Sequence, residues 1–502
     1  MPPSTDHYDR LQIARDATPA QIRRAYHRAV RRQHPDLNDE PGATEGFLAL
    51  QQAYEVLSDP NLRSAYDAGL PPLEENLAGI KYELMYSRSS LPRIAEPQLV
   101  YAYLELAAPD DSKARPSPPL NVCLVLDRST SMRGERMDTV KSTAIELLRQ
   151  LGPRDIFSIV TFNDRAEVLV SAGIPQERSP SESKIQMIQP SGGTEILYGL
   201  EAGFFEVRSR LSSDYINHMI LLTDGRTYGD EQACLQVAGQ AAGLGIGISG
   251  LGIGAEFNDL FVDRLAAITG GSSMYISQPS DIRYFLKQRV SGLGQVYAEQ
   301  VVLELELQKG IELRYAFRIS PDANQLETDS VIPLGVITKE HSLAVVLEFL
   351  LPVIDQDVTR YMLAEGWLKF VTPALEKKNY SLPINLIRPV ADSGGIQSPP
   401  TRLLQAISHL TLYRLQERAQ KKLADGQVEG ASRLLQNLAT HLFSKGKPEL
   451  ARSVLQEVDN LHRDRDLSQA GKKQIKYATR ALLLPANLTE RPSSAPRQDG
   501  LA

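Results

Sequence analysis

Apolar residues recur along this chain with two periods, and the changes of period divide it. Ile22, Ala25, Tyr26, Ala29 and Val30 fall at helical spacing, and Phe47, Leu50, Ala53, Tyr54 and Leu57 do the same. Two amphipathic helices are predicted there, with His34, Pro35 and Asp36 between them. Gly69, Pro71 and Pro72 mark a linker. From Gly79 to Leu106 the text turns strand-like, and residues 99–106 alternate. Residues 109–119, rich in Pro, Ser and Asp, read as a loop. From Leu120 to about Leu293 strands and helices alternate. The strands 121–126, 155–162, 218–223, 246–250 and 273–276 are continuously apolar, which predicts a parallel sheet buried between helices. A second all-β stretch follows to about Arg388, and it is expected to pair with residues 79–107 in one sandwich. From Pro400 to about Leu484 the spacing is helical again. Leu403, Leu404, Ile407, Leu410, Tyr413 and Leu415 form one stripe, Ala431, Leu434, Leu435 and Leu438 another, and Gly446 and Pro448 punctuate a hairpin. The Pro/Ser-rich tail 489–502 is expected to be disordered.

Composition narrows the class. A chain of 502 residues holds three or more domains, and its 42% hydrophobic content suits sizeable cores. The net charge of -6 gives no overall attraction to nucleic acid or to a membrane surface. The two cysteines, Cys123 and Cys234, make no zinc site and suggest a reducing compartment. Residues 1–10 are polar and read as no signal peptide, and the apolar run 343–353 is short and interrupted by Glu348. A cytoplasmic protein is expected.

The turn at residues 34–36 has its own chemistry. Pro35 fixes its own φ and pushes His34 out of the helical region, so the preceding helix stops there. Asp36 and Asn38 are turn and cap residues. The preceding helix carries Arg23, Arg24, Arg28, Arg31 and Arg32 with no acidic residue between Thr18 and Gln33, a local positive face able to steer an acidic partner surface. A basic run alone reads as a solvated helix face. The flanks say more: Tyr8-Asp9-Arg10-Leu11, then Ala53-Tyr54-Glu55-Val56-Leu57-Ser58-Asp59-Pro60, then Tyr66-Asp67. Over about residues 6–68 the chain resembles a J-domain. The resemblance implies a DnaK-type heat-shock chaperone as partner, bound through His34, Pro35, Asp36, Arg23, Arg24 and Arg28, with stimulation of its ATPase. Gln33 stands where the family usually has an aromatic residue and Ala29 where it usually has Leu, which softens packing but leaves the turn.

A second constellation lies in the α/β segment. Asp127-Arg128-Ser129-Thr130-Ser131 follows the first strand, at the carboxyl end where parallel sheets bind ligands. Gly192-Gly193-Thr194 precedes a helix, and Asp224-Gly225 ends the strand 218–223. Two carboxylates and three hydroxyls are hard oxygen ligands, suited to magnesium, or manganese or calcium, and not to zinc. Asp and Ser also cap helices, so the first segment alone establishes nothing; the three in order do. Over about residues 119–293 the chain resembles a von Willebrand factor type A (vWA) domain with a metal-ion-dependent adhesion site. Leu251-Gly252-Ile253-Gly254 and Thr269-Gly270-Gly271 fit the later strands of that family. The resemblance implies that Ser129, Ser131 and Thr194 donate hydroxyl oxygens and that Asp127 and Asp224 bind the cation directly or through water.

Weaker signals do not change this. Gly243 to Gly254 is glycine-dense but strand-like, no Walker A sequence occurs, and His218 reads as structural. The helices 401–482 are net basic, and solvated faces explain that better than nucleic acid. No catalytic constellation stands out, so no enzyme is expected. The expected fold class is multidomain, α and α/β. It comprises a helical J-domain (1–68), a linker (69–78), strands of a β-sandwich (79–118) and a doubly wound vWA sheet (119–293). The rest of the sandwich (294–390), a helical domain (400–485) and a disordered tail (486–502) follow. The expected function is an adaptor that brings a DnaK-type chaperone to an unknown protein client gripped through the metal site. The rival is a vWA scaffold for an AAA-type ATPase or a multi-subunit assembly, with the J-like unit as a docking element.

Overall fold

The computed structural model describes His7, Leu11, residues 22–23, 25–26, 29–30, 43–59, 62–63 and 66, then 79–484 apart from 175–177, 227–228, 355–357, 377 and 392–397. The chain divides into two compact units, Met1–Leu77 and Ala78–Ala502. His34, Pro35, Asp36, Arg24 and Arg28, the linker 69–78 and the tail 486–502 lie outside the described residues.

In the first unit, helix α1 (Ala43–Ser58) turns Leu50, Ala53 and Leu57 inward against Leu11, Ile22 and Ala25. The two predicted apolar faces thus close on each other. Tyr26 and Tyr54 stack with ring centroids 4.1 Å apart. His7 stacks on Tyr66, and its backbone N–H donates to the Tyr66 hydroxyl at 2.9 Å. After α1, the Asp59 carboxylate accepts from the Leu62 N–H at 3.0 Å and caps the next turn. Arg23 is exposed.

The second unit opens with β1 (Lys81–Tyr86), β2 (Leu91–Pro92) and β3 (Gln98–Ala107). An α/β layer follows: β4 (Leu120–Asp127), α2 (Glu135–Gln150), β5 (Ile156–Phe162), β6 (Ala166–Gly173), α3 (Ser179–Gln186), α4 (Ile196–Ser209), β7 (Ile216–Thr223), α5 (Glu231–Gly243), β8 (Gly247–Ile253), α6 (Asp259–Ile268), β9 (Ser273–Ile276) and α7 (Ile282–Gly294). Then come β10 (Val296–Leu307), β11 (Glu312–Ser320), β12 (Asn324–Leu326), β13 (Val331–Thr338), β14 (Leu343–Leu351), β15 (Arg360–Val371) and β16 (Asn379–Ala391). Helices α8 (Thr401–Ala424), α9 (Val428–Ser444), α10 (Pro448–Asp464) and α11 (Gln469–Ala481) complete it. No helix among the described residues is long and apolar enough to cross a membrane.

The α/β sheet has the order β6-β5-β4-β7-β8-β9. All of its strands run parallel except β6, which is antiparallel to β5 at the edge. Leu120, Val122, Leu124 and Leu126 of β4 pack with α2 and α7, while Cys123 and Val125 pack with α4, α5 and α6. Helices on both faces explain why the inner strands are apolar without alternation. β6 departs from the sequence reading, which gave no strand there. None of its residues is fully buried and three, Glu167, Val168 and Ser171, are exposed, so it lacks the continuous apolar run of its neighbours.

The other strands form two sheets, β1-β3-β14-β11-β12 and β13-β10-β15-β16-β2, with Leu104, Leu303, Leu347, Phe349 and Phe370 among the side chains between them. β14 pairs with β3 from Leu343 opposite Leu106 to Leu351 opposite Gln98. Strands that precede and follow the α/β layer in sequence therefore share one sheet, and the layer is an insertion into the sandwich. α8 lays Leu403, Ala406, Leu410 and Tyr413 on the outer face of the first sheet, against Tyr103, Tyr315, Phe317 and Val346.

α11 binds the layer differently. Lys473, Lys476 and Arg480 share one face of it, and their side chains are only 3%, 4% and 4% exposed. They meet Asp259 and Asp263, one turn apart at the start of α6. Lys476 lies 2.5 Å from Asp259 and 2.8 Å from Asp263, and Arg480 lies 3.0 Å from Asp263. Arg480 also donates to Ser273 Oγ at 3.1 Å, to the Ala323 carbonyl and to Asn324 Oδ1, so it reaches the sandwich too. The reading of the C-terminal basic residues as solvated faces is corrected here: these three are buried because carboxylates from another domain neutralise them. Burial alone would raise the Asp263 pKa; Arg480 and Lys476 instead hold it well below the usual carboxylate range.

Asp263→Ala leaves Arg480 buried without its carboxylate and Lys476 with Asp259 alone, and the expected loss is about 3–5 kcal/mol of stability in urea denaturation. A loss no larger than that of a surface substitution would contradict the arrangement. Because the folded pKa of Asp263 is depressed, its contribution is complete above the unfolded value of about 4 and disappears on further acidification. Asp263→Asn should therefore flatten the acid limb of the stability–pH curve.

Candidate metal-binding site

β4 lies at the point where the strand order reverses: the chain passes to β5 on one side and returns to β7 on the other. Loops leaving the carboxyl ends of β4 and β7 diverge there, which opens the crevice such sheets use for ligands. Asp127 is the last residue of β4 and Asp224 follows β7; they are 0% and 2% exposed.

Hydrogen bonds connect four of the five residues expected at this site. Asp127 Oδ1 accepts from the Ser129 N–H at 2.8 Å. Ser129 Oγ and Ser131 Oγ are 3.0 Å apart, and the Ser131 hydroxyl donates to Asp224 Oδ1 at 2.7 Å. Ser129 is buried and Ser131 exposed, so the chain of oxygens runs from the sheet to the surface. Thr194 packs against the Asp224 loop: a Cβ on Gly225 would lie 2.8 Å from its Oγ1.

Backbone bonds tie the Asp127 loop to the end of β5 and to the turn that precedes Thr194. The Arg128 N–H donates to the Phe162 carbonyl and the Ser191 N–H to the Arg128 carbonyl, both at 2.8 Å. Thr130 donates to the Gly192 carbonyl through its N–H at 3.1 Å and its hydroxyl at 3.0 Å. Gly192 has φ +75, and a Cβ there would fall 2.2 Å from Asp164 Oδ2, which is why a glycine precedes the Thr194 turn.

Four residues of the site were missed in the sequence reading. Thr223 donates its hydroxyl to Asp127 Oδ2 at 2.7 Å. Arg136, on the first turn of α2, donates to Asp224 Oδ2 and, at 3.3 Å, to the Ser131 carbonyl. Asn163 donates to the Ser191 carbonyl at 2.8 Å, and Asp164 accepts from the Gly193 N–H at 2.8 Å. Asn163-Asp164 sits at the carboxyl end of β5, so the rule that singles out Asp127 would have found it. Nothing in the sequence marks Arg136, which depends on how α2 leaves the loop. His218 is buried with Nε2 2.8 Å from Ser249 Oγ, inside the sheet and apart from these loops.

The electrostatics are unbalanced. Arg136 answers Asp224, but no cationic group contacts Asp127 among the described residues. Burial, with the Asp224 charge adding to it, pushes the Asp127 pKa up to about 6. Among the described residues no cluster of three or more His, Cys, Asp or Glu occurs. The donor set is thus two carboxylates with hydroxyls, all oxygen, which fits a hard divalent cation and not a soft one.

The α6–α11 lock reaches this site. Lys473 donates to the Ala255 carbonyl at 2.6 Å and stands 5.0 Å above the Phe257 ring. Arg226, two residues past Asp224, donates to the Glu256 carbonyl at 2.8 Å. The β8–α6 loop is therefore pinned by α11 on one side and by the Asp224 loop on the other.

The layered α/β insertion with these loops at its switch point has the von Willebrand factor type A fold, and the family matches make the chain a J-domain fused to a von Willebrand factor type A domain. Residues 121–288 match the von Willebrand factor type A domain, residues 6–67 the DnaJ domain, and residues 401–485 the Sll0103-like C-terminal alpha-helical domain. The uncharacterized protein sll0103 of Synechocystis sp. is 27% identical over 379 residues, covering 73% of this chain and 89% of that protein. The chaperone protein DnaJ of Dictyoglomus thermophilum is 51% identical over 67 residues, but the match spans only 17% of its length. In fold, the chain is similar to a von Willebrand factor type A protein from Catenulispora acidiphila (TM-score 0.64, 15% identity, 80% of this chain and 96% of that one). The ArnB paralog VWA2 from Sulfolobus acidocaldarius is similar at TM-score 0.51 and 19% identity, over 81% of this chain and 99% of that one.

Since the ionised Asp127 is penalised by its surroundings, Asp127→Asn should melt at a higher temperature than the parent in a chelator at neutral pH. A lower melting point would show that the carboxylate's hydrogen bonds outweigh its desolvation.

Proposed function

We propose that the chain is a non-enzymatic adaptor: its J-domain engages a DnaK-type chaperone, and its vWA domain holds a protein client through a divalent cation. Asp127, Ser129, Ser131, Thr194 and Asp224 would hold magnesium, or manganese or calcium. The observation that carries this reading is the run of oxygens at the switch point from Asp127 through Ser129 and Ser131 to Asp224, in which both carboxylates are buried and Arg136 alone answers them among the described residues. A cation bound there supplies a Lewis-acidic position that a client carboxylate can complete. The protein's own share is positional. Thr223 and the Ser129 N–H fix the Asp127 carboxylate, and Gly192 shapes the loop carrying Thr194. Arg136 orients Asp224 and must share that carboxylate with the cation.

Support for the chaperone half is the DnaJ match over residues 6–67, which includes His34, Pro35 and Asp36 and the basic residues Arg23, Arg24 and Arg28 that precede them in sequence. Covalent linkage then raises the effective concentration of chaperone at the client. Two free, buried cysteines and a DnaK-type partner suit the cytoplasm.

The two halves are separable. His34→Gln should reduce ATP turnover by a DnaK-type chaperone to its unstimulated rate while leaving the magnesium-induced rise in melting temperature. Asp127→Ala should abolish that rise and leave the stimulation intact. Affinity purification with and without a chelator then reads both partners, with the client alone lost when the cation is removed. Full stimulation by the His34 variant would refute the chaperone assignment, and an unchanged melting temperature in excess magnesium would refute the cation site.

A further inference from the structure

Both oxygens of Asp224 already serve donors of the chain itself. Oδ1 accepts from the Ser131 hydroxyl at 2.7 Å, and Oδ2 accepts from Arg136 Nη1. The Asp224 side chain is fully buried, and among the described residues it is the only carboxylate that Arg136 meets. Arg136 differs in kind from the other groups of the site. Ser129, Ser131 and Thr194 carry lone pairs that a cation can use, whereas a guanidinium has donors only and keeps its charge. It can neither bind a metal nor give up a proton to make room for one.

Its position on α2 is also unfavourable for a cation. A helix N-terminus prefers negative charge, and the first turn of α2 otherwise carries Glu135 and Asp138. The helix therefore gains nothing from Arg136, and its pairing with Asp224 is what accounts for it. The side chain is held loosely apart from that pair. It is 34% exposed, so solvent lies on one side, and its bond to the Ser131 carbonyl is long at 3.3 Å. On another side stands Gly254, where a Cβ would fall 3.0 Å from Nη2, so the β8–α6 loop leaves the guanidinium the room it takes.

We infer that Arg136 is a tethered counter-ion that competes with the divalent cation for Asp224 and so sets how tightly the site holds it. The inference rests on the cation site proposed above. With no divalent ion bound, Arg136 offsets the charge of a buried carboxylate. With one bound, Arg136 stands beside it as a like charge and turns out toward solvent. Even with the screening of bulk water, a unit charge about 4 Å from a divalent ion shifts affinity by more than about tenfold. The chain thus gives up affinity and gains reversibility.

Magnesium binding to the full-length chain is measured by titration calorimetry for the parent, Arg136→Gln and Arg136→Lys, with melting temperatures in chelator and in excess magnesium. Arg136→Gln should bind magnesium about tenfold or more tightly than the parent. It should melt lower than the parent in chelator, because Asp224 loses its counter-charge, and rise further when magnesium is added. Should it unfold in chelator, competition against a chelator of known affinity, started from the magnesium-loaded chain, reads the same ratio. Arg136→Lys keeps the charge and should stay within about threefold of the parent. Unchanged or weaker binding by Arg136→Gln, with the parent binding, overturns this inference alone and leaves Arg136 as a residue that only orients Asp224. An Arg136→Lys chain that binds as tightly as the glutamine variant also overturns it, since charge would not then be what matters. Absence of binding by the parent and both variants overturns it together with the cation site.

Discussion

Two carboxylates on one turn of α6, Asp259 and Asp263, hold three buried cations of α11, and the arrangement of the second unit rests on that exchange. Neither side is stable alone in a desolvated junction. Ammonium and guanidinium groups at this depth lose their hydration, and only opposite charge with further hydrogen bonds repays it. Arg480 satisfies the condition most fully, reaching Asp263, Ser273, Ala323 and Asn324, so one side chain joins helical domain, α/β layer and sandwich. The cost of a mismatch is high, which makes the docking of α11 specific.

The same helix reaches the functional loops. Lys473 grips the Ala255 carbonyl, Arg226 grips the Glu256 carbonyl from the other side, and Asp224 stands two residues before Arg226. The C-terminal domain therefore contributes to the rigidity of a site to which it donates no ligand. The site itself is kept under electrostatic tension: among the described residues Asp127 is buried without a counter-charge, and Arg136 offsets only Asp224. Preorganised, under-neutralised oxygen donors suit reversible capture of a divalent cation, because the relief on binding adds to affinity.

Legibility in the sequence followed burial pattern and loop position. Asp127, Ser129, Ser131 and Asp224 were readable because strands buried on both faces are apolar throughout, and polar residues at their carboxyl ends stand out. Thr223 was hidden because a hydroxyl at a strand terminus looks like ordinary β-propensity. Arg136 was hidden because an arginine on a helix is unremarkable until the helix axis aims it at a carboxylate. The edge strand β6 was hidden because its half-exposed residues share no pattern with the inner strands. Lys473, Lys476 and Arg480 were misjudged for a related reason: a basic face reads as solvated when its acidic complement lies more than two hundred residues earlier.

What the sequence determined by itself was local and periodic: the apolar faces of Ile22, Ala25 and of Leu50, Ala53, Leu57 in the first unit, the buried strands of the α/β layer, and the oxygen donors at their ends. Backbone propensity, residue spacing and the polarity of a strand's last residue need no knowledge of distant neighbours. What only the tertiary structure decided was pairing across long separations. β3 lies beside β14, α11 lies on α6, and Arg136 lies on Asp224. These depend on which surfaces meet, and charge neutralisation and close packing select among partners that a linear pattern leaves equivalent.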